Sequence, residues 1–251
     1  MTRMATLPTF RDGDQYAVPA GRRFAFEAVI DEICRMRWES ADRAGIMRVA
    51  KAYYYFSVQF RENLEIACDL YPEDECLGRL RAGECDTDNL SPWPGVTAPG
   101  EKLDHDEFMK RLLAGDPVDR DPYLTSVGSR YLDRVRNLDV MTRGASIASY
   151  EDGGLSQVFG AMLRANDWRG AGPAAFKFFL EQHVLFDSDE EVGHGALARH
   201  LKADDAILPL WTAFRDLLAA ALPRLVEVPR PGRVVSPLIA IPRDWSGAAE
   251  S

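Results

Sequence analysis

Between Glu181 and Gly195 the chain reads EQHVLFDSDEEVGHG, which places two of its four histidines and four acidic residues besides Glu181 in fifteen residues. On a helix His183 and Asp187 are four apart and share a face. His194 lies seven beyond Asp187 and returns to that face if the helix continues. Imidazole nitrogens and carboxylate oxygens on one inward stripe are the ligands with which a helical bundle holds iron or manganese, facing helices completing the set. The competing reading is a solvated acidic helix end with incidental histidines, and local spacing does not separate the two.

Such a stripe needs helices to carry and face it, and the sequence supplies them. Apolar residues recur at helical spacing through most of the chain, whereas strand-like alternation is nearly absent. The pattern predicts helices over Phe24–Trp38, Arg43–Leu70, Glu73–Glu84, Asp104–Leu113, Pro122–Val140, Ala145–Arg164, Gly172–Asp187, Asp189–Lys202 and Asp204–Leu222. Pro72 ends the second of these, because proline lacks an amide hydrogen and restricts the residue before it. Thr87–Gly100 holds three prolines and two glycines and reads as a loop. Residues 1–20 read as an extended segment, 21–225 as one helical domain, and 226–251 as an extended tail broken by Pro229, Pro231, Pro237 and Pro242. The apolar run Val234–Ile241 in that tail would be an exposed patch unless covered, which favours a homodimer.

The segment from Glu181 and three others together resemble the non-haem di-iron oxidases and oxygenases of the haem-oxygenase-like helical fold. Their pattern has a glutamate late in one helix, then a histidine, a glutamate on a central helix, and a closing His-x-x-x-Asp/Glu-x-x-His helix. Here Glu84 (RAGEC) resembles the first ligand and His105 (LDHDEF) the second. Glu151 (ASYED) resembles the central glutamate, and His183 opens the final segment after FFLEQ. The likeness spans about Tyr53 to His200 and departs from the pattern twice. The link from Glu84 to His105 carries a long Pro/Gly-rich insertion, which a loop absorbs at small entropic cost. After Asp187 the pattern expects histidine three residues on, but Glu190 stands there and His194 follows about one turn later. Ser188 and Glu191 also form a Ser-x-x-Glu capping box that would start a new helix, so Glu190 or Glu191 is an alternative ligand.

The resemblance implies an all-α, haem-oxygenase-like bundle whose metal ligands are Glu84, His105, Glu151, His183, Asp187 and His194, with Glu191 as second choice. It implies two Fe(II) ions, O2 as co-substrate, an external electron source where the reaction needs one, and a small-molecule substrate. N-oxygenation of a small amine or amino acid in specialised metabolism is favoured, with oxidative C–C cleavage or desaturation as the alternative. Metal-free relatives of the fold, thiaminase-like or quinone-forming, form a further class. A non-catalytic helical interaction module is the remaining one. Ligand type does not separate iron from manganese.

Composition narrows the remaining classes. Hydrophobic residues make up 46% of the chain and charged residues 27%, enough apolar material for a core around an interior site. A net charge of -9 argues against nucleic acid and anionic lipid as partners, since both attract positive patches. No apolar run is long enough to span a bilayer, and Met1 to Gln15 lack an export pattern, so a cytoplasmic protein is expected. Cys34, Cys68, Cys76 and Cys85 form no Cys-x-x-Cys pair and read as reduced thiols. Cys85 points about 100 degrees from Glu84 on a helix and is not a ligand. Tyr53, Tyr54 and Tyr55 read mainly as packing, Trp38, Trp93, Trp168 and Trp211 as structural, His200 as a surface or packing residue, and Arg130, Arg134 and Arg143 as surface charge. Dinucleotide, P-loop and serine-hydrolase signatures are absent.

Overall fold

The structure, a computed structural model, describes residues 24–85, 90–187 and 203–226. Their named elements are all helices, with no named strand among them. The helices are α1 (Ala25–Cys34), α2 (Arg43–Leu70), α3 (Glu75–Cys85), α4 (His105–Leu113), α5 (Pro122–Arg136), α6 (Val140–Ser149), α7 (Leu155–Met162), α8 (Ala171–Asp187) and α9 (Leu208–Ala221). The expected helix over Asp189–Lys202, the N-terminal segment 1–20 and the tail from 227 onward lie outside the described residues.

Helix α2 is the axis of the bundle and packs against α3, α4, α5, α6, α8 and α9. Asp42 starts it by accepting from the Gly45 amide at 2.8 Å, covering one of the amides that a helix N-terminus leaves unbonded. Arg224, in the last described turn, pairs with the same carboxylate and ties that turn to the start of α2. Because partners surround α2, it buries polar residues as well as apolar ones. Tyr53, Phe56, Ser57 and Phe60 face inward near the middle, and Gln59 and Asn63 are fully buried beside them. Phe56 stacks on Phe214 of α9 at 4.1 Å between centroids and meets Tyr150 edge-on at 5.2 Å. Such aromatic pairs add to the burial of their area. Helix α5 comes so near α2 that a Cβ on Gly128 would sit 2.1 Å from the Tyr55 ring, so only glycine fits there.

Two sequence-based expectations change here. The helix expected over Pro122–Val140 stops at Arg136, and a new one starts at Val140 with Asp139 as its cap, accepting from the Thr142 amide at 2.9 Å. An aspartate whose carboxylate bonds to the backbone three residues on competes with helix continuation. Arg143, expected on the surface, is 8% exposed. Its guanidinium donates to Asn63 Oδ1 at 2.9 Å and to Glu62 at 3.0 Å, while Asn63 donates to Ser146 Oγ at 3.0 Å. A polar seam thus joins α2 to α6, and the guanidinium's planar fork suits two acceptors at once. No described helix is long and apolar enough to cross a membrane.

Candidate metal centre

Three helices meet α2 where their chemistry-bearing residues lie. Glu84 is the penultimate residue of α3, His105 the first of α4, and His183 sits one turn before the end of α8; α3, α4 and α8 all pack on α2, and α4 packs on α8. One ligand atom from each of Glu84, His105 and His183 falls within 4.8 Å of the others. All three are buried, at 5%, 8% and 6% exposure. His105 Nδ1 is 2.7 Å from Glu84 Oε2 and 3.2 Å from His183 Nε2.

Hydrogen bonding fixes one ring's tautomer. His183 Nδ1 lies 2.7 Å from the Phe179 carbonyl oxygen, which can only accept, so Nδ1 carries the proton and Nε2 presents its lone pair to the group. A backbone carbonyl holding the far nitrogen of a histidine is the usual outer support of a metal-ligating imidazole. With both rings neutral, a proton on His105 Nδ1 has Glu84 Oε2 and His183 Nε2 as competing acceptors. A cation in its place would meet three lone pairs instead. The donor set of two imidazoles and a carboxylate is therefore a fit for a divalent first-row metal.

Glu151 reaches the same place by a different backbone route. Tyr150–Gly154 is a single π-helical turn between α6 and α7, where an unbroken α-helix over Ala145–Arg164 was expected. Its sequence explains it. Gly153 has φ of 85°, a left-handed conformation costly for residues with a Cβ. Gly154 would place a Cβ 2.2 Å from the Ser149 carbonyl oxygen and 2.8 Å from the Trp211 ring. The indole of Trp211 donates to Ser149 Oγ at 3.0 Å and pins the turn from α9. Isolated π turns inside helices occur often at functional sites. Glu151 is 5% exposed and shares the wall of one cavity with Glu84, His105 and His183.

That cavity measures ≈ 10 Å³, room for about one water, and Tyr53, Ser57, Phe60, Leu155 and Phe159 complete its wall. Sequence reasoning did not assign these five to the site. Their signal was spacing: 53, 57 and 60 form one stripe of α2, and 155 and 159 continue at intervals of four from 151. Tyr53 packs on Phe159, Phe176 and Phe179, and His183 on Phe159 and Phe179, so aromatic rings enclose the ligand atoms. Among the described residues no lysine or arginine lines the cavity. Two carboxylates buried in such surroundings need positive charge or hydrogen bonds to offset their lost hydration.

Of the six residues implied as ligands, Glu84, His105 and His183 come together and Glu151 shares their cavity. Asp187 is the last residue of α8, and its side chain lies outside what is described, as do Glu190, Glu191 and His194. Among the tryptophans, Trp38 and Trp211 are core residues at 1% and 0% exposure. Trp93 and Trp168 are partly buried and line an outer groove beside α8. Arg130 bonds Ser126 and Arg134 pairs with Asp216 at the surface. Cys34, Cys68 and Cys76 are free thiols. Comparison with family models, with curated proteins and with solved structures gave no match.

Proposed function

We propose that this chain is a non-haem di-iron oxygenase of the haem-oxygenase-like fold. It would activate O2 to oxidise a small amine or amino acid. The observation that carries the proposal is the buried convergence of Glu84, His105 and His183, with Glu151 on the wall of the same cavity. Glu84, His105 and His183 would supply one ion. Glu151 would join Asp187 and His194, or Glu191, in holding the second.

When bound, the ferrous pair would supply the electrons and open coordination positions with which dioxygen is activated. The chain's own residues do the rest. The Phe179 carbonyl holds the His183 ring with Nε2 facing inward. Carboxylates at 84 and 151 would balance the charge of the cations. Tyr53, Phe60, Leu155 and Phe159 keep bulk water out, so a substrate amine meeting this wall is favoured in its neutral form, with the nitrogen lone pair free to be oxidised. The same wall accepts an aliphatic carbon, which keeps oxidative C–C cleavage as the second product class.

The test is to load the apoprotein anaerobically with Fe(II), mix it with O2 in a stopped-flow cell, and repeat with a panel of small amines. A transient visible band whose decay accelerates with one amine, and an N-oxygenated product in mass spectrometry, would support the proposal. Iron-loaded protein that neither develops a band nor consumes O2 would overturn it.

A further inference from the structure

A second cavity lies behind the ligand group. It also measures ≈ 10 Å³ and is lined by Ser57, Phe60, Arg61, Glu84, His105 and Asp106. Ser57, Phe60, Glu84 and His105 border both cavities, whereas His183 borders only the first. The His105 ring is thus a partition. Its Nδ1 is committed to Glu84 and His183 on one side. Its Nε2 is buried and has no hydrogen-bond partner among the described residues.

Beyond the second cavity stands an ion pair: Arg61 meets the Asp106 carboxylate at 3.0 Å, with Asp106 15% and Arg61 37% exposed. Five of the six lining residues carry polar side chains, and the space fits one water. A buried water needs two to four polar partners, and a dry cavity is an apolar one. A buried imidazole nitrogen left without a partner costs about 1–3 kcal/mol, which favours filling the space.

We propose that this cavity holds one structural water that hydrogen-bonds His105 Nε2 and donates to the Asp106 carboxylate, with Arg61 holding that carboxylate in place. Asp106 is then a positioning residue. Through the water it fixes the His105 ring, and once a cation replaces the Nδ1 proton shared with Glu84 the same water would accept from Nε2–H. It acts from outside the ligand set and touches no substrate. The role at the metal rests on the reading above; the water itself does not.

The experiment separates the two. Crystals of the metal-free protein at high resolution should show water density within hydrogen-bond distance of both His105 Nε2 and Asp106 in the wild type. Asp106→Ala should lose that density, and its His105 ring should rotate. Asp106→Asn, which preserves shape, should retain the water with altered contacts. Co(II) titration, followed through the visible ligand-field bands, should show Asp106→Ala binding roughly 10- to 100-fold more weakly with a changed band pattern. A dry cavity in the wild type overturns the proposal, as does an unmoved ring in Asp106→Ala with unaltered Co(II) bands. Wild-type protein that holds the water but takes up no Co(II) counts against the metal reading and upholds the water.

Discussion

The turn that carries Glu151 can be tested through its two glycines. Alanine at Gly153 meets no atom within 4 Å, so its cost is conformational alone, set by a φ of 85°. Holding an L-residue in the left-handed region costs about 1–2 kcal/mol. Losing glycine's freedom in the unfolded chain returns about 0.4–1 kcal/mol. Gly153→Ala should therefore destabilise the protein by about 1 kcal/mol. Gly160, on α7, also meets nothing within 4 Å but is not left-handed, so Gly160→Ala should stabilise by about 0.5–1 kcal/mol. Gly154→Ala adds a steric term, because the Ser149 carbonyl 2.2 Å from its Cβ is backbone and yields only if the turn opens. A cost of about 1–3 kcal/mol is expected, as for overpacked cores. Urea unfolding followed by circular dichroism measures all three. Gly153→Ala as stable as Gly160→Ala would refute the left-handed Gly153 within the π turn and the route by which Glu151 reaches the cavity.

Further expectations follow from other contacts. Arg143→Met should lose about 2–3 kcal/mol in the same urea assay, since it strips charged hydrogen bonds from buried Asn63 and from Glu62, and Arg143→Lys should restore only part of it. Burial pushes the Glu62 carboxyl up, but hydrogen bonds and charge from Arg136 and Arg143 outweigh it and hold the group below its ordinary 4.5. Its contribution is present above that value and lost as pH falls through the lower folded one, so Glu62→Gln should flatten the acid limb of a stability–pH curve. Burial raises the Tyr131 and Tyr150 hydroxyls above the usual 10.0. Stability should accordingly fall as pH rises past 10, where the unfolded chain ionises first, and Tyr131→Phe should lessen that slope in alkaline urea titrations. Co(II) at about 100 times its dissociation constant should stabilise the wild type by about 2.7 kcal/mol, a gain absent in His183→Ala by differential scanning fluorimetry.

Much of the helical layout was legible because it rests on local signals. Arg43–Leu70 was read from its apolar spacing and from Pro72, and the structure gives those limits. The break at Asp139 was missed because aspartate is tolerated inside helices, and only its bond to the Thr142 amide shows that it acts as a cap. The π turn was missed because helical periodicity over 145–164 averages across one inserted residue. The adjacent Gly153 and Gly154 were its visible mark. Burial of Arg143 could not be read either, since its acceptors come from α2, about eighty residues away. At the site, spacing paired His183 with Asp187. Bringing Glu84 and His105 to His183 depends on how α3, α4 and α8 pack on α2, which no local pattern encodes.

The central claim is that these buried residues hold metal, and anaerobic Fe(II) titration of the metal-free protein tests it most directly. Bound iron would be counted after gel filtration in the wild type and in His183→Ala. The account predicts two tightly held irons per chain and loss of tight binding in the variant. Absence of tight binding in the wild type, or binding unchanged by His183→Ala, would contradict it.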